Sequence, residues 1–402
     1  MSASGAPVTL PTSTSNSTDR MHHVGLPKLM FLVTEDWYFV SHRLELAIAA
    51  RRAGYDVVVA TNVSRYQKRI EDAGIRLCPM TFDRGGLNPL KEVLTLIKLF
   101  LLYRKENPDI VHHVAIKPVI YGSLVARGLR IKGVVNAFGG LGYIFSSDGW
   151  RVSLLRSIVA PFFRLAFGGS NTRIIVQNSN DRDWIVSQRL IRAEAVTLIP
   201  GAGVRLDAYH QANVESDRPL VILPARLLRD KGVREFVEAA RLLLNHGVKA
   251  RFALVGRPDP ANPASVTESE IAGWVDQGLV ELWGWRDDMP AVFSQAQIVC
   301  LPTYHEGLPK ALLEAAASGC AIVTTNIPGC REVVQHGVNG WLVPVRDVQA
   351  LAGSLREAIE RPDLRKRYGA AVREHIVANF LVGRVNSETL AIYDDLSRLP
   401  AH

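Results

Sequence analysis

The sequence has little cysteine and lacks long apolar runs. Its four cysteines, Cys78, Cys300, Cys320 and Cys330, lack C-x-x-C spacing. This pattern fits reduced thiols in a cytosolic protein and argues against a disulfide framework or a zinc site. No run of 18 uncharged apolar residues is present, so we expect no membrane-spanning segment. These absences predict a cytoplasmic protein.

Acidic residues are outnumbered by basic ones: the 402 residues carry a net charge of +8. This charge favours anionic partners, namely phosphates, nucleic acid or an anionic membrane surface. No RNA- or DNA-binding signature accompanies it, so we expect no nucleic-acid partner. The oligomeric state is left open. Residues 1–27 begin with a Ser/Thr-rich stretch without an apolar core, which predicts a disordered tail and not a signal peptide.

Apolar, β-branched runs alternate with helical patterns in two successive sets. The first set of predicted strands covers 29–34, 55–61, 109–115, 133–138 and 172–178, with a helix over 41–54 after the first. A second set follows a polar stretch and covers 220–225, 251–256, 280–284, 298–303 and 321–326. This rhythm predicts an α/β protein of two Rossmann-like, doubly wound domains, 28–204 and 205–379, facing a central cleft. A final helix, about 380–402, is expected to pack back on the first domain.

Two segments, 90–105 and 150–169, are rich in Leu, Phe and Ile with Lys or Arg spaced among them. They are too interrupted to span a bilayer. Two interpretations stay open: ordinary core helices of the first domain, or basic amphipathic helices lying on a membrane surface.

The stretch "YHEGLPKALLEAAASG" (304–319) places Glu306 and Glu314 on either side of a predicted helix start. Pro309 suits the first helical position and Gly319 the C-terminal cap. Free amides at Gly307, Leu308 and Lys310 would form an anion site at the helix N-terminus. Both glutamates would reach one extended ligand, since helical side chains lean toward the N-terminus.

A second basic feature, "RLLRDKG", follows strand 220–225 and holds Arg226 and Lys231. A planar guanidinium and a point charge are suited to neutralising a diphosphate leaving group. Two further loops follow strands of the same sheet and hold Gly256, Arg257, Trp285 and Arg286. They would bracket a base, or they are plain loops.

The motifs "ARLLRDKG", "LWGWRDDMP", "YHEGLPKALLEAAASGCAIVTTNIPGCREVV" and "HGVNGWLVP" resemble the C-terminal domain of family-4 glycosyltransferases. The N-terminal motifs resemble the bacterial subgroup that extends polyprenyl-diphosphate-linked oligosaccharides. The resemblance covers nearly all of 28–398. It implies the GT-B fold and retaining transfer of a sugar from a nucleotide-sugar, here expected to be a UDP-sugar, without a metal cofactor. It also implies an enzyme held at the inner face of the cell membrane, where it would build a surface glycan such as lipopolysaccharide.

Roles follow from the resemblance by position. Glu306 would contact the donor sugar near the reacting carbon and Glu314 the nucleotide ribose. Arg226 and Lys231 would hold the diphosphate, and the amides at 307–310 would assist them.

One departure from the family pattern concerns a histidine. The family carries H-x-H at the end of a strand in the first domain, but this chain reads "VHHVAIKP", with Val114 at the second position. His113 is the catalytic candidate in its place. His42, Arg43 and Lys117 are acceptor-side candidates. For each of these, a structural or solvated role stays open.

Two alternative functions compete with sugar transfer. A GT-B nucleotide-sugar 2-epimerase is disfavoured because the motifs match the transferases. A non-catalytic nucleotide-binding relative is disfavoured because Arg226, Lys231, Glu306 and Glu314 are all present.

Overall fold

A computed structural model describes residues 25–82, 88–140, 163–164, 166–210, 216–260 and 262–399. Nearly all of the expected tail, 1–27, and most of segment 150–169 lie outside these residues. The expectations for both therefore stay predictions.

The first half of the chain forms a parallel sheet of seven strands in the order β3-β2-β1-β4-β5-β6-β7. The strands are β1 (Lys28–Glu35), β2 (Asp56–Asn62), β3 (Arg76–Pro79), β4 (Ile110–Val114), β5 (Gly133–Ala137), β6 (Thr172–Val176) and β7 (Val196–Leu198). Its helices within the described residues include α1 (Asp36–His42), α2 (Leu44–Arg52), α3 (Gln67–Asp72), α4 (Pro89–Glu106), α5 (Ile116–Gly128) and α6 (Ser179–Ser187). Strands β4 and β5 are buried along their whole length, as a sheet covered on both faces requires.

The second half forms a parallel sheet of six strands in the order β10-β9-β8-β11-β12-β13. The strands are β8 (Leu220–Pro224), β9 (Arg251–Val255), β10 (Glu281–Gly284), β11 (Ile298–Leu301), β12 (Ala321–Thr325) and β13 (Trp341–Val343). The helices are α7 (Val233–Asn245), α8 (Glu268–Asp276), α9 (Met289–Gln295), α10 (Lys310–Ala317), α11 (Pro328–Arg331), α12 (Val348–Glu360), α13 (Pro362–Asn379) and α14 (Val382–Ser397).

Both sheets are doubly wound, as the alternating pattern predicted. Strand order reverses between β1 and β4 in the first sheet and between β8 and β11 in the second. Such a reversal opens a crevice at the carboxyl ends of the two strands, because the connections that follow them leave to opposite faces. The two crevices are where the structure collects its candidate site residues.

Three short strands escaped the sequence patterns: β3, β7 and β13. All three lie at sheet edges and have only three or four residues, too few to show a periodic pattern. All ten predicted strands are present within one or two residues of the expected bounds.

The predicted helix 41–54 is wrong as a single element. Helix α1 begins at Asp36, directly after β1, and the backbone breaks at Arg43 (φ −129°, ψ −11°) before α2 starts. The buried Asp36 carboxylate accepts from the amides of Ser64 (2.6 Å) and Tyr66 (3.1 Å). These long-range hydrogen bonds fix the turn after β1, so the early start of α1 could not be predicted from the local sequence.

The last helix, α14, packs on the first sheet. Tyr393 and Leu396 belong to that domain's hydrophobic core, and Tyr55 donates a hydrogen bond to Asp394 (2.8 Å). The chain crosses between the domains at Val204 and Leu381, which form a parallel bridge. The two crossings therefore run side by side.

Candidate active site in the interdomain cleft

Two adjoining chambers occupy the cleft between the sheets. The first, of about 530 Å³, lies between the switch points and is lined by Lys117, Arg226, Lys231 and Glu306. The second, of about 470 Å³, is lined by Gly256, Trp285 and Glu314. His42, Arg226 and Lys310 line both chambers, so the two form one continuous groove. An extended ligand fits such a groove better than a compact one.

The loop after β11 carries Glu306 and is held rigidly from behind. The buried Thr303 donates to the carbonyl of Asp230 (3.1 Å), and the amide of Tyr304 donates to the same carbonyl (2.8 Å). The loop after β8 therefore fixes the loop after β11. Helix α10 starts at Lys310, with Pro309 as its N-cap and not at the first helical position. Gly319 (φ +69°) follows its C-terminus, as expected.

Glu306 is paired with Lys231. The Nζ of Lys231 donates to Oε1 of Glu306, and both side chains are mostly buried. Within the described residues, Oε2 of Glu306 has no hydrogen-bond partner, and Glu306 lines the first chamber. The pair joins the strands β8 and β11 that flank the switch point.

Glu314 is held on one oxygen by a hydrogen bond from Tyr209 and an ion pair with Lys310. Lys310 Nζ (2.8 Å) and the hydroxyl of Tyr209 (2.7 Å) both reach Oε1, and the residue is only 7% exposed. Burial, followed by the nearby Glu314 charge, raises the pKa of Tyr209, so this hydroxyl stays protonated as a donor. Among the described residues nothing bonds Oε2 of Glu314, and the residue lines the second chamber.

Arg226 lies where the two chambers adjoin, since it lines both. Its guanidinium pairs with Asp259 (2.9 Å) and lies 5.9 Å from the ring centre of Trp37 in the other domain. Gly256 is required beside it, because a Cβ there would lie 1.9 Å from the carbonyl oxygen of Ala225. The loops after β8 and β9 thus pack backbone against backbone, which sets the wall of the second chamber.

The first domain contributes His42 and Lys117 to the cleft. His42 stacks on Tyr38 with ring centres 4.1 Å apart, and its buried Nδ1 has no partner among the described residues. Burial, with Lys310 and Arg43 nearby, lowers the pKa of His42 to about 3, so the ring is neutral. A neutral imidazole with an open nitrogen can exchange hydrogen bonds with a polar ligand.

Lys117 follows β4 at the first turn of α5. Its Nζ pairs with Glu92 of α4 (2.7 Å), and the same carboxylate accepts from the hydroxyl of Tyr121 (2.8 Å). This ion pair links the first chamber to α4.

The two domains touch at a pair of glycine loops. A Cβ on Gly307 would lie 2.3 Å from the carbonyl oxygen of Gly139, and one on Gly140 would lie 2.6 Å from the amide of Gly307. Asn178 adds a hydrogen bond to the carbonyl of Gly307 (3.0 Å). The sequence pattern predicts that the amide of Gly307 belongs to an anion site. In this structure, the absence of a side chain on Gly307 lets the backbone of Gly139 and Gly140 in the opposite domain pack against it.

A carboxylate closes the outer edge of the second chamber. Oδ1 of Asp287 accepts from the hydroxyl of Tyr66 (2.8 Å), from Nε1 of Trp285 (3.0 Å) and from Arg65 (3.4 Å). Tyr66 and Arg65 belong to the first domain, so these contacts form an interdomain latch. Arg257 lies over the Trp285 ring at 5.0 Å from its centre and is not among the chamber-lining residues. Arg286 lines the second chamber and pairs with Asp288 (2.6 Å).

His113 is not brought to the cleft, so the catalytic candidacy assigned to it is corrected. The ring is fully buried, with Nδ1 bonded to Asn136 (2.8 Å) and Nε2 to the hydroxyl of Tyr103 (3.0 Å). A Cβ on Gly122 would lie 2.4 Å from it, so α5 packs directly over the ring. Contact with a substrate is incompatible with this packing. Arg43 is also buried and lines neither chamber.

Sequence reasoning missed several residues of the cleft wall. Trp37 and Tyr38 come from the unpredicted start of α1, and Tyr209 lies in the polar stretch that follows the first domain. The Asp287 latch joins residues 221 positions apart. The aromatic cluster "DWYF" after a strand was the one local signal available.

Charges of both signs surround the first chamber. Among the described residues, four lysines and arginines line it (Lys117, Arg226, Lys231 and Lys310), beside two carboxylates, Glu35 and Glu306. Each of the four cations already pairs with a carboxylate. An anionic ligand would therefore compete with these carboxylates for the cations.

Comparisons with known proteins agree with this geometry. Residues 28–178 match the family described as "Glycosyl transferase 4-like", and residues 218–361 match "Glycosyl transferases group 1". Among solved structures, Anabaena HepE in complex with UDP and glucose is 18% identical, with a TM-score of 0.72 over 92% of this chain and 100% of that one. WaaG, from lipopolysaccharide biosynthesis, is 16% identical with a TM-score of 0.69 over 90% and 99%. The fold is therefore GT-B and the protein is a glycosyltransferase.

Two curated relatives refine the placement. A Campylobacter jejuni N,N'-diacetylbacillosaminyl-diphospho-undecaprenol alpha-1,3-N-acetylgalactosaminyltransferase is 26% identical over 80% of this chain and 87% of its own length. An Escherichia coli UDP-Gal:alpha-D-GlcNAc-diphosphoundecaprenol alpha-1,3-galactosyltransferase is 26% identical over 67% and 71%. The chain belongs to the family-4 glycosyltransferases.

Proposed function

We propose that this protein is a retaining glycosyltransferase that moves a sugar from a UDP-sugar to a polyprenyl-diphosphate-linked saccharide. The observation that carries the proposal is the acid pair in the continuous groove. Within the described residues, Glu306 and Glu314 each have one oxygen engaged by a lysine and no bond to the other oxygen, and Arg226 lines both chambers. The order of these three residues along the groove suits a ligand in which a sugar, a diphosphate and a ribose follow one another.

Each residue has a role in this arrangement. Glu306 accepts from hydroxyls of the donor sugar, and Glu314 accepts from the ribose. Arg226 and Lys231 face the diphosphate, where negative charge grows as the bond to the anomeric carbon breaks. The loops carrying Trp285 and Arg286 border the chamber that takes the base.

The reaction breaks the anomeric carbon–phosphate oxygen bond and forms a bond from the acceptor oxygen to the same face of that carbon. The acceptor's hydroxyl proton passes to the departing phosphate oxygen. Protein cations neutralise the leaving group here, so transfer is expected without a divalent metal, and excess EDTA should leave the rate unchanged.

The acceptor and the location are proposed from the relatives and from charge. Both relatives are named for diphosphoundecaprenol substrates. A polyprenyl chain stays in the bilayer, so the enzyme would work peripherally at the inner face of the cell membrane. No helix in the described part of the chain is long and apolar enough to cross a membrane.

Two experiments test the proposal. A thermal-shift screen of UDP-, GDP- and dTDP-sugars should show stabilisation by the uridine nucleotides alone, about 2.7 kcal/mol at a hundred times Kd. The Glu306→Gln variant should keep that shift and lose transfer by about 10²-fold, because the donor sugar is no longer positioned. Unchanged turnover in this variant would refute the site. Formation of an epimeric UDP-sugar without acceptor would support the epimerase instead.

A further inference from the structure

Helix α4 turns an apolar stripe to solvent. Six of the twelve large hydrophobic side chains that are exposed in the described residues lie on it, with exposures of 38–76%. They are Leu90, Val93, Leu94, Ile97, Phe100 and Leu101. Their spacing places them on one face, roughly 16 Å long at 1.5 Å per residue. A helix on a globular protein normally turns a polar face outward, so the apolar outer face of α4 is unusual.

The opposite face of α4 already holds the helix to the protein. Leu99 and Tyr103 are buried in the first domain's core, and Glu106 pairs with Arg76 (2.9 Å). The stripe is therefore not needed for folding. A contiguous exposed apolar patch of this kind marks an interaction surface.

A row of lysines follows one edge of the stripe. Lys91, Lys98 and Lys105 are exposed and seven residues apart, so they align along the helix about 100° from Leu90 and Ile97. Residues 28–204 hold 24 lysines and arginines against 14 acidic residues, a net charge of +10, whereas the whole chain carries +8. Apolar side chains beside a basic row fit a bilayer with anionic headgroups.

The stripe also begins next to the cleft. Glu92 lies between Lys91 and Val93, and its carboxylate holds Lys117 of the first chamber. The chamber is therefore one ion pair away from the apolar face. A substrate with its tail in the bilayer would have its head at this place.

We propose that the outward face of α4 docks on an anionic lipid bilayer and presents the first chamber to a membrane-embedded acceptor. The second part rests on the proposed function, whereas docking itself does not. The lysine row makes docking depend on headgroup charge, and the stripe supplies the apolar insertion.

Docking is tested by co-sedimentation with vesicles of about 30% phosphatidylglycerol in phosphatidylcholine. The wild type should bind, and the double variant Leu94→Glu/Ile97→Glu should bind at least tenfold more weakly, since charged side chains cannot enter the acyl region. Val338→Glu is the matched control, because Val338 is equally exposed (53%) but lies in the second domain. Its binding should be unchanged.

A second comparison isolates the charge. Replacing Lys91, Lys98 and Lys105 by Gln should lower the partition coefficient on the order of 100-fold, at about 1 kcal/mol per lysine. The control replaces Lys68, Lys249 and Lys366, which are exposed elsewhere, and should have a much smaller effect. Thermal stabilisation by UDP should be the same in all variants and reports an intact fold.

Several results would overturn the proposal. Wild-type protein that ignores these vesicles would do so, as would a double Glu variant that binds like the wild type. A dimer in sedimentation velocity that Leu94→Glu/Ile97→Glu dissolves, without a change in vesicle binding, would show that a second copy covers the stripe. Vesicle binding without any UDP-sugar turnover would refute the proposed function and leave docking intact.

Discussion

The role proposed for Glu314 leads to a prediction about the ribose of the nucleotide. Glu314 is 7% exposed, and Lys310 and Tyr209 both engage its Oε1. In the proposed function, Oε2 accepts from a ribose hydroxyl. A hydrogen bond to a charged group contributes about 1.5–3 kcal/mol, against about 0.5–1.5 kcal/mol for a neutral pair. Replacing Glu314 by Gln should therefore weaken UDP binding by about 1–2 kcal/mol, or roughly 5- to 30-fold in Kd.

Isothermal titration with UDP and 2′-deoxy-UDP, on wild type and Glu314→Gln, forms a cycle that isolates this contact. The wild type should bind the deoxynucleotide more weakly than UDP by a similar factor. In the variant, the difference between the two nucleotides should shrink, because the hydroxyl has lost its charged acceptor. Glu388→Gln on α14 is the control for an isolated charge change.

The reasoning is refuted if the variant discriminates between the two nucleotides as strongly as the wild type does. It is equally refuted if both nucleotides bind the variant with wild-type affinity. A general loss of affinity with preserved discrimination would mean that Glu314 shapes the chamber through Lys310 and does not touch the ribose.

Two further predictions concern the latch and the buried histidine. Tyr66→Phe removes a hydrogen bond to Asp287 across the domains, so the rate of UDP release in stopped flow should rise about two- to fivefold, as expected for an exposed contact. The control Tyr368→Phe, within the second domain, should leave the release rate unchanged. Equal release rates for Tyr66→Phe and the wild type would argue against a latch. Burial lowers the pKa of His113 to about 4, so on acidification the unfolded chain binds the proton before the folded protein does. The neutral, buried His113 therefore contributes stability that is fully present above pH 6.5 and is lost as the pH falls toward 4. Urea titrations should show a loss of about 2 kcal/mol in the free energy of unfolding between pH 7 and pH 5 from His113, and His113→Gln should reduce that loss; an unchanged loss would contradict the assignment.

Much of the fold was predictable because its signals are local. Parallel strands buried on both faces read as continuous apolar runs, and ten of them appear close to the expected bounds. Edge strands such as β13 are too short to carry that signal. The broken helix at Arg43 was unpredictable for another reason, since Asp36 is fixed by the loop at Ser64 and Tyr66.

The candidate site was likewise predictable only where its signals are local. The placement of Glu306, Lys231 and Arg226 at strand ends followed from sequence, because doubly wound sheets collect such loops at their switch points. The orientation of the histidines did not. Strand residues alternate between faces, but only packing decides which face meets the cleft, and here His112 meets Tyr393 while His113 lies under α5.

The sequence by itself determined two doubly wound domains and an acidic pair astride the start of α10, because strand periodicity and helix-start residues are local properties. Only the tertiary structure decided how those acids are held. Tyr209 reaches Glu314 across 105 residues, and Asp287 meets Tyr66 across 221. The first pairing depends on how a loop packs against the second sheet and the second on how the two domains meet, and no spacing along the chain encodes either arrangement.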